Sequence, residues 1–184
     1  MARTESTMLA LGSKAPDFTL VDVVSGEKVS KETIGSSHAH VIMFICNHCP
    51  FVIHAQDQIV QLAKDYQSKG INFVGINSND AVAYPDDSPE RMKEIAKEKN
   101  YPFPYLFDET QEVAKSFEAA CTPDFFIYDK DWKLVYRGQL DDSRPGNDVS
   151  VTGESIRSAL ERILKGEPVQ EQQKPSLGCN IKWK

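Results

Sequence analysis

Two apolar runs, VIMFI (residues 41–45) and INFVGIN (71–77), flank a single amphipathic stretch, and that arrangement leaves few folds open. Both runs are rich in β-branched residues and have strand length. Neither alternates apolar with polar residues as a half-exposed strand does, so both read as buried on two faces. Between them Val52, Ala55, Ile59, Leu62, Ala63 and Tyr66 recur at helical spacing, and the pattern stops at Lys69 and Gly70, a basic last turn with a glycine cap. Strands joined through a helix run parallel with a right-handed crossover. The spacing therefore predicts a βαβ unit at the centre of an α/β sheet.

The junction of the first strand with the helix reads FICNHCPF, residues 44–51, and places Cys46 and Cys49 in a C-x-x-C pair with His48 between them. Four cysteines, Cys46, Cys49, Cys121 and Cys179, are too few for a disulfide-stapled scaffold in a chain of 184 residues. The pair is thus a candidate for catalysis or metal binding. With 21 basic and 27 acidic side chains the net charge is -6, which argues against nucleic acid as a partner. The opening MARTESTMLALGSKAPDF lacks a secretory apolar run and no window is apolar enough to span a bilayer, so the expected setting is cytoplasmic, away from membranes.

The remaining elements follow from turn and cap signals. DFTLVDVVSGEKVS predicts a β-hairpin turning at Ser25 and Gly26. Ser88 and Pro89 suit the N-cap and first position of a second helix, and a shorter one is expected around Thr110 to Ala119. DFFIY (124–128) and KLVYR (133–137), joined by DKDW, predict another hairpin, and Ile156, Ala159, Leu160, Ile163 and Leu164 mark a last amphipathic helix. Composition changes after Pro168, so residues 1–168 read as one domain and 169–184 as a C-terminal tail. The polar stretches NDAVAYPDDSPE and DDSRPGNDVSVTG read as solvated connectors.

A C-x-x-C where strand meets helix, then a βα unit, then a TP dipeptide entering a β-hairpin and a last helix, resembles the thioredoxin fold. GSKAPDFTL, CNHCPF, FPYLFDETQEVAKSF, CTPDFFIYD and GCNIKW are similar to the peroxiredoxin-like branch of that superfamily, in its redoxin group. The resemblance implies an α/β thioredoxin-like fold, a central mixed sheet flanked by helices with an N-terminal β-hairpin extension. It also implies a cis bond before Pro123, with Thr122 presenting its backbone to a bound thiol or peptide. The implied activity is thiol–disulfide exchange with protein or small-molecule disulfides, supported by a thiol reductant system. No organic cofactor is expected, because the sulfurs carry the electrons.

An unperturbed cysteine has a pKa near ~8.5, so something must stabilise the attacking thiolate. The expectation is that Cys46, at the helix start, is the low-pKa nucleophile, that Cys49 lies deeper and resolves, and that His48 tunes the anion. Thioredoxin has a tryptophan before its first cysteine and a buried acid in the strand. Here Ile45 and VIMFI supply neither, which leaves His48, His40 or water to accept the proton.

Three alternatives accompany this reading. In a peroxidase, reducing peroxides, Cys49 followed by Pro50 would be peroxidatic, Cys46 or Cys179 would resolve, and Arg137 could stabilise the thiolate. Against it, Cys46 and Ile42 stand where peroxiredoxins carry a hydroxyl and a proline. Soft-metal binding would use Cys46, Cys49 and Cys121 with His48 or His54 on Cu(I) or Zn(II). A redox-inert peptide-binding module is the third. Cys121 is either a small buried hydrophobe or functional; Cys179, near Ile181 and Trp183, is an accessory thiol; His38 and His40 are expected at the surface.

Overall fold

The βαβ unit forms where the sequence places it. Strand β4 (Ala39–Phe44) leads into helix α1 (Pro50–Gln67) and then strand β5 (Ile71–Asn77), and β4 and β5 pair in parallel from Ala39↔Ile71 to Phe44↔Ile76. These positions come from a computed structural model, which describes residues 3–184. Pro50 is the first residue of α1, where its missing N–H costs no hydrogen bond and its fixed φ suits the helix.

The predicted hairpins are present: β2 (Thr19–Asp22) with β3 (Lys28–Ser30), turning through Gly26 at φ 78°, and β8 (Asp124–Asp129) with β9 (Leu134–Gly138). Helix α2 (Pro89–Glu98) is capped by Ser88, whose hydroxyl accepts from the Arg91 N–H at 3.4 Å. Helix α4 spans Glu154–Leu164. Helix α3 is shorter than expected, Glu112–Ser116, because Gln111 and Glu118 adopt left-handed φ at its two ends.

The central sheet gains a strand that the sequence does not announce. Tyr105–Phe107 forms β6, pairing in parallel with β5 and antiparallel with β2. Pro102 and Pro104 just before it mask its strand character in the sequence. The resulting mixed sheet has seven strands in the order β3-β2-β6-β5-β4-β8-β9. It is the central mixed sheet flanked by helices that the resemblance implies.

Both faces of that sheet are covered, which explains the unbroken apolar run of β4. Val41 and Met43 pack with Ile59 and Leu62 of α1, Met92 of α2, and Ile156 and Leu160 of α4. Ile42 and Phe44 face the other way, onto Phe117, Phe126 and Phe18.

The last residues are built into the body. Leu177–Asn180 forms strand β10, the middle of a second sheet between β1 (Arg3–Glu5) and β7 (Cys121–Thr122). Beyond it the Lys182 N–H donates to Asn79 Oδ1 at 2.9 Å, and Gln111 Nε2 donates to the Lys182 carbonyl at 2.8 Å. Four residues of ladder bonded to strands far away in sequence carry no local periodicity, which is why 169–184 reads as a tail from sequence.

Candidate active site

The end of β4 and the start of α1 bring Cys46 and Cys49 against the loop between β7 and β8. Cys49 is the N-cap of α1, with φ −73° and ψ 123°, and Cys46 lies one turn earlier, in the loop. This corrects the expectation that Cys46 holds the helix start. Proline at the first helical position forces the residue before it into an extended conformation, and that residue is Cys49.

The Thr122–Pro123 peptide bond is cis, and Thr122 touches both sulfurs. Cys46 Sγ lies 3.3 Å from Thr122 Oγ1, and the Cys49 thiol donates to the Thr122 carbonyl at 3.2 Å. Cys46 is 1 % exposed and Cys49 0 %, so accessibility does not choose between them; charge does.

The Cys49 pKa is pulled down to about 5, above all by the neighbouring Cys46 thiol, with the Cys179 thiol and the backbone N–H groups of Val52 and Cys179 adding to the effect against the cost of burial. The Thr122 carbonyl favours the protonated form, but those donors outnumber it. The Cys46 thiol is pushed well above its ordinary range by the same bond to Cys49, by burial and by the charge of Asp87. These directions favour Cys49 over Cys46 as the thiolate of the pair, the reverse of the expected polarity. A helix N-terminus favours an anion at its cap, and Cys49 occupies that cap.

Sequence reasoning missed the buried acid of this site. Asp87 lies in the stretch NDAVAYPDDSPE, which reads as a solvated connector, yet its side chain is fully buried. Its Oδ1 accepts from the Asn47 N–H at 2.7 Å and from Asn77 Nδ2 at 3.2 Å, and its Oδ2 accepts from Asn79 Nδ2 at 2.8 Å. His48 Nδ1 sits 2.6 Å from the same Oδ2, a close contact whose geometry falls outside that of a hydrogen bond. The His48 ring also stacks on Tyr84, centroids 5.4 Å apart. Nothing in the local pattern separates Asp87 from exposed Asp86. The acid absent from the strand arrives from a loop.

Cys46 Sγ, a ring nitrogen of His48 and a carboxylate oxygen of Asp87 lie within 4.8 Å of one another. Sulfur, nitrogen and oxygen donors of this kind are a set that zinc accepts. Cys49, Cys121 and His54, expected among metal ligands, lie outside that group, and His54 Nε2 instead bonds Ser143 Oγ at 2.7 Å.

Two other expectations need correction. Arg137 does not partner the Cys49 thiolate. It is fully buried, donates to the Glu118 carbonyl at 2.8 Å and to Asp124 Oδ2 at 3.1 Å, and its guanidinium lies over the Phe126 ring, among the side chains on the sheet face opposite the cysteines. His40 is 1 % exposed rather than at the surface, stacked on Trp132 at 3.9 Å, and sits at the far end of β4 from Cys46, so it is no proton acceptor for the pair. His38 is exposed as expected. Cys121 is buried, its thiol reaching the Pro123 carbonyl at 3.6 Å, and burial drives its pKa far up. Cys179, by contrast, stands beside Cys49.

A mixed sheet whose parallel βαβ unit ends in two touching thiols, faced by a cis-proline loop, defines a thioredoxin-fold protein. The chain belongs to the AhpC/TSA family, whose model matches residues 11–137. Among solved structures it is similar to an uncharacterized conserved protein of Geobacillus kaustophilus, at 63% identity and a TM-score of 0.98, covering 100% of this chain and 97% of that one. A hypothetical protein of Sinorhizobium meliloti 1021 matches at 46% identity and a TM-score of 0.96, covering 98% of both chains. Among curated proteins, the thiol-disulfide oxidoreductase ResA of Bacillus thuringiensis is 21% identical over 162 residues, 88% of this chain and 81% of the relative.

Proposed function

We propose that the chain is a thiol–disulfide oxidoreductase that cycles between a Cys46/Cys49 dithiol and disulfide. The observation that carries this reading is the placement of both sulfurs on Thr122, beside the cis-proline, with Cys49 at a helix N-cap. Similarity to ResA, a thiol-disulfide oxidoreductase by name, supports it.

In the proposed cycle the Cys49 thiolate attacks a substrate disulfide, forming a mixed disulfide and releasing one substrate thiolate. Cys46 gives its proton to His48, whose imidazole Asp87 holds, and attacks the Cys49 sulfur. The Cys46–Cys49 bond forms, the second substrate thiolate leaves, and two electrons have passed to the substrate. A separate thiol system returns the disulfide to the dithiol.

The low pKa of Cys49 together with Pro50 also favours a second reading, peroxide reduction, in which Cys49 becomes a sulfenic acid and Cys46 condenses with it. Arg137 is committed to Asp124 and gives that chemistry no help.

Reduced protein exposed separately to oxidised glutathione and to one equivalent of hydrogen peroxide, then alkylated and mapped by peptide mass, tests both. Rapid Cys46–Cys49 pairing with glutathione disulfide and slow reaction with peroxide is the expected result. Faster reaction with peroxide would make the protein a peroxidase, and no bond with either reagent would refute both readings.

A further inference from the structure

Cys49 has two thiol neighbours, and the cycle above uses only one. Cys179 stands in β10 directly opposite Thr122, the residue whose carbonyl the Cys49 thiol touches at 3.2 Å. The Cys49 sulfur lies beside both the thiol and the backbone N–H of Cys179, and Cys46, Cys49 and Cys179 belong to one buried cluster. We propose that Cys179 is a third redox thiol of the site, forming a disulfide with Cys49 in competition with Cys46.

The fold delivers Cys179 to that position with little freedom. On one side of β10 Cys179 pairs with Thr122, and on the other with Arg3. Ser176 Oγ bonds the Pro123 carbonyl at 2.7 Å, just before the strand, and Lys182 is tied to Asn79 just after it. Gly178 allows the close approach: a Cβ there would fall 2.1 Å from the Thr122 carbonyl oxygen. A thiol held this way reacts as an intramolecular neighbour, at an effective concentration far above that of any free thiol. β10 also occupies the backbone of β7 beside the two sulfurs, a place an extended substrate would otherwise pair with.

The step rests on the dithiol reading and needs no further oxidant. In the oxidised site the Cys179 thiol gives up its proton and attacks the Cys49 sulfur. The Cys46–Cys49 bond breaks, a Cys49–Cys179 bond forms, and Cys46 leaves and takes the proton. One disulfide becomes another with no gain or loss of electrons. Burial raises the Cys179 pKa, so attack is slow and quickens as pH rises. The exchange frees Cys46 while keeping the oxidising equivalent in the chain, and it ties the C-terminal strand to the first turn of α1.

The test uses the full chain. Cys46→Ala protein is treated with oxidised glutathione, alkylated and mapped, and wild-type protein already oxidised to Cys46–Cys49 is followed over time at rising pH. The expected results are a Cys49–Cys179 peptide pair in Cys46→Ala, and its growth at the expense of Cys46–Cys49 in the wild type. Cys179→Ser should lose the pair completely, and Cys121→Ser should keep it. Should Cys46→Ala fold poorly, the wild-type time course decides alone. A stable glutathione adduct on Cys49 with Cys179 free, or no conversion in the wild type, overturns the proposal and leaves the dithiol reading intact. Failure of the wild type to form Cys46–Cys49 overturns that reading instead, and the third thiol then stands only if Cys49–Cys179 appears.

Discussion

Replacing Cys46 by alanine removes the donor that does most to hold the Cys49 thiol near about 5. A hydrogen bond to a charged group contributes ~1.5–3 kcal/mol, and at 1.36 kcal/mol per pKa unit that is roughly 1–2 units. Cys49 in the variant should therefore ionise near pH ~6–7. The groups that remain, the Cys179 thiol and the Val52 and Cys179 N–H groups, keep it below an ordinary thiol. Thiolate absorbance near ~240 nm, followed against pH on reduced protein, reads ionisation without needing a reagent to reach a buried sulfur. The reciprocal variant is the sharper half of the experiment. In Cys49→Ala, burial and the Asp87 charge still act on Cys46, so no thiolate step should occur below neutrality. A step near pH 5 in Cys49→Ala, or loss of the step in Cys46→Ala, would place the charge on Cys46 and reverse the proposed order of attack, whereas an unshifted step in Cys46→Ala would show that Cys46 does not hold the Cys49 pKa down.

Two further outcomes follow from groups outside the dithiol. Burial lowers the His40 pKa to about 4, below its unfolded value near ~6.5. The unfolded chain then binds more protons in that window, so stability is complete above pH ~6.5 and is lost as pH falls toward 4, by about 3 kcal/mol in all. His40→Phe, which can still stack on Trp132, should flatten that part of the denaturation-against-pH curve, and an unchanged slope would refute the assignment. Arg137→Met leaves buried Asp124 without its cation, so urea unfolding should show a loss of about 3–5 kcal/mol. The Cys49 titration should not move in that variant; a rise would mean that Arg137 reaches the thiolate after all.

The elements legible in the sequence are those whose signal is local. VIMFI and INFVGIN announce buried strands because both sheet faces are covered. Ser88 and Pro89 announce a helix because capping involves neighbours only. The two motif cysteines are visible for the same reason, since a strand and a helix meet at them. Their polarity is harder to see. It depends on which residue becomes the N-cap, and that turns on Pro50, one position past the motif.

The rest of the site is assembled by contacts that leave no periodic trace. Asp87 is buried because Asn77, Asn79 and the Asn47 N–H converge on it, and those partners come from the end of β5 and from the motif loop. Cys179 reaches Cys49 because β10 pairs with two residues of β7 on one side and with the N-terminal strand on the other. A four-residue strand has too few positions to display alternation, and each of its partners is remote in sequence. The two pieces are also joined: Asn79 donates to Asp87 while its side-chain oxygen accepts the Lys182 N–H. One asparagine thus links the acid that serves Cys46 to the segment that carries Cys179. A change at Asn79 should disturb both sides of the dithiol together, which separate roles for the loop and the C-terminal strand would not predict.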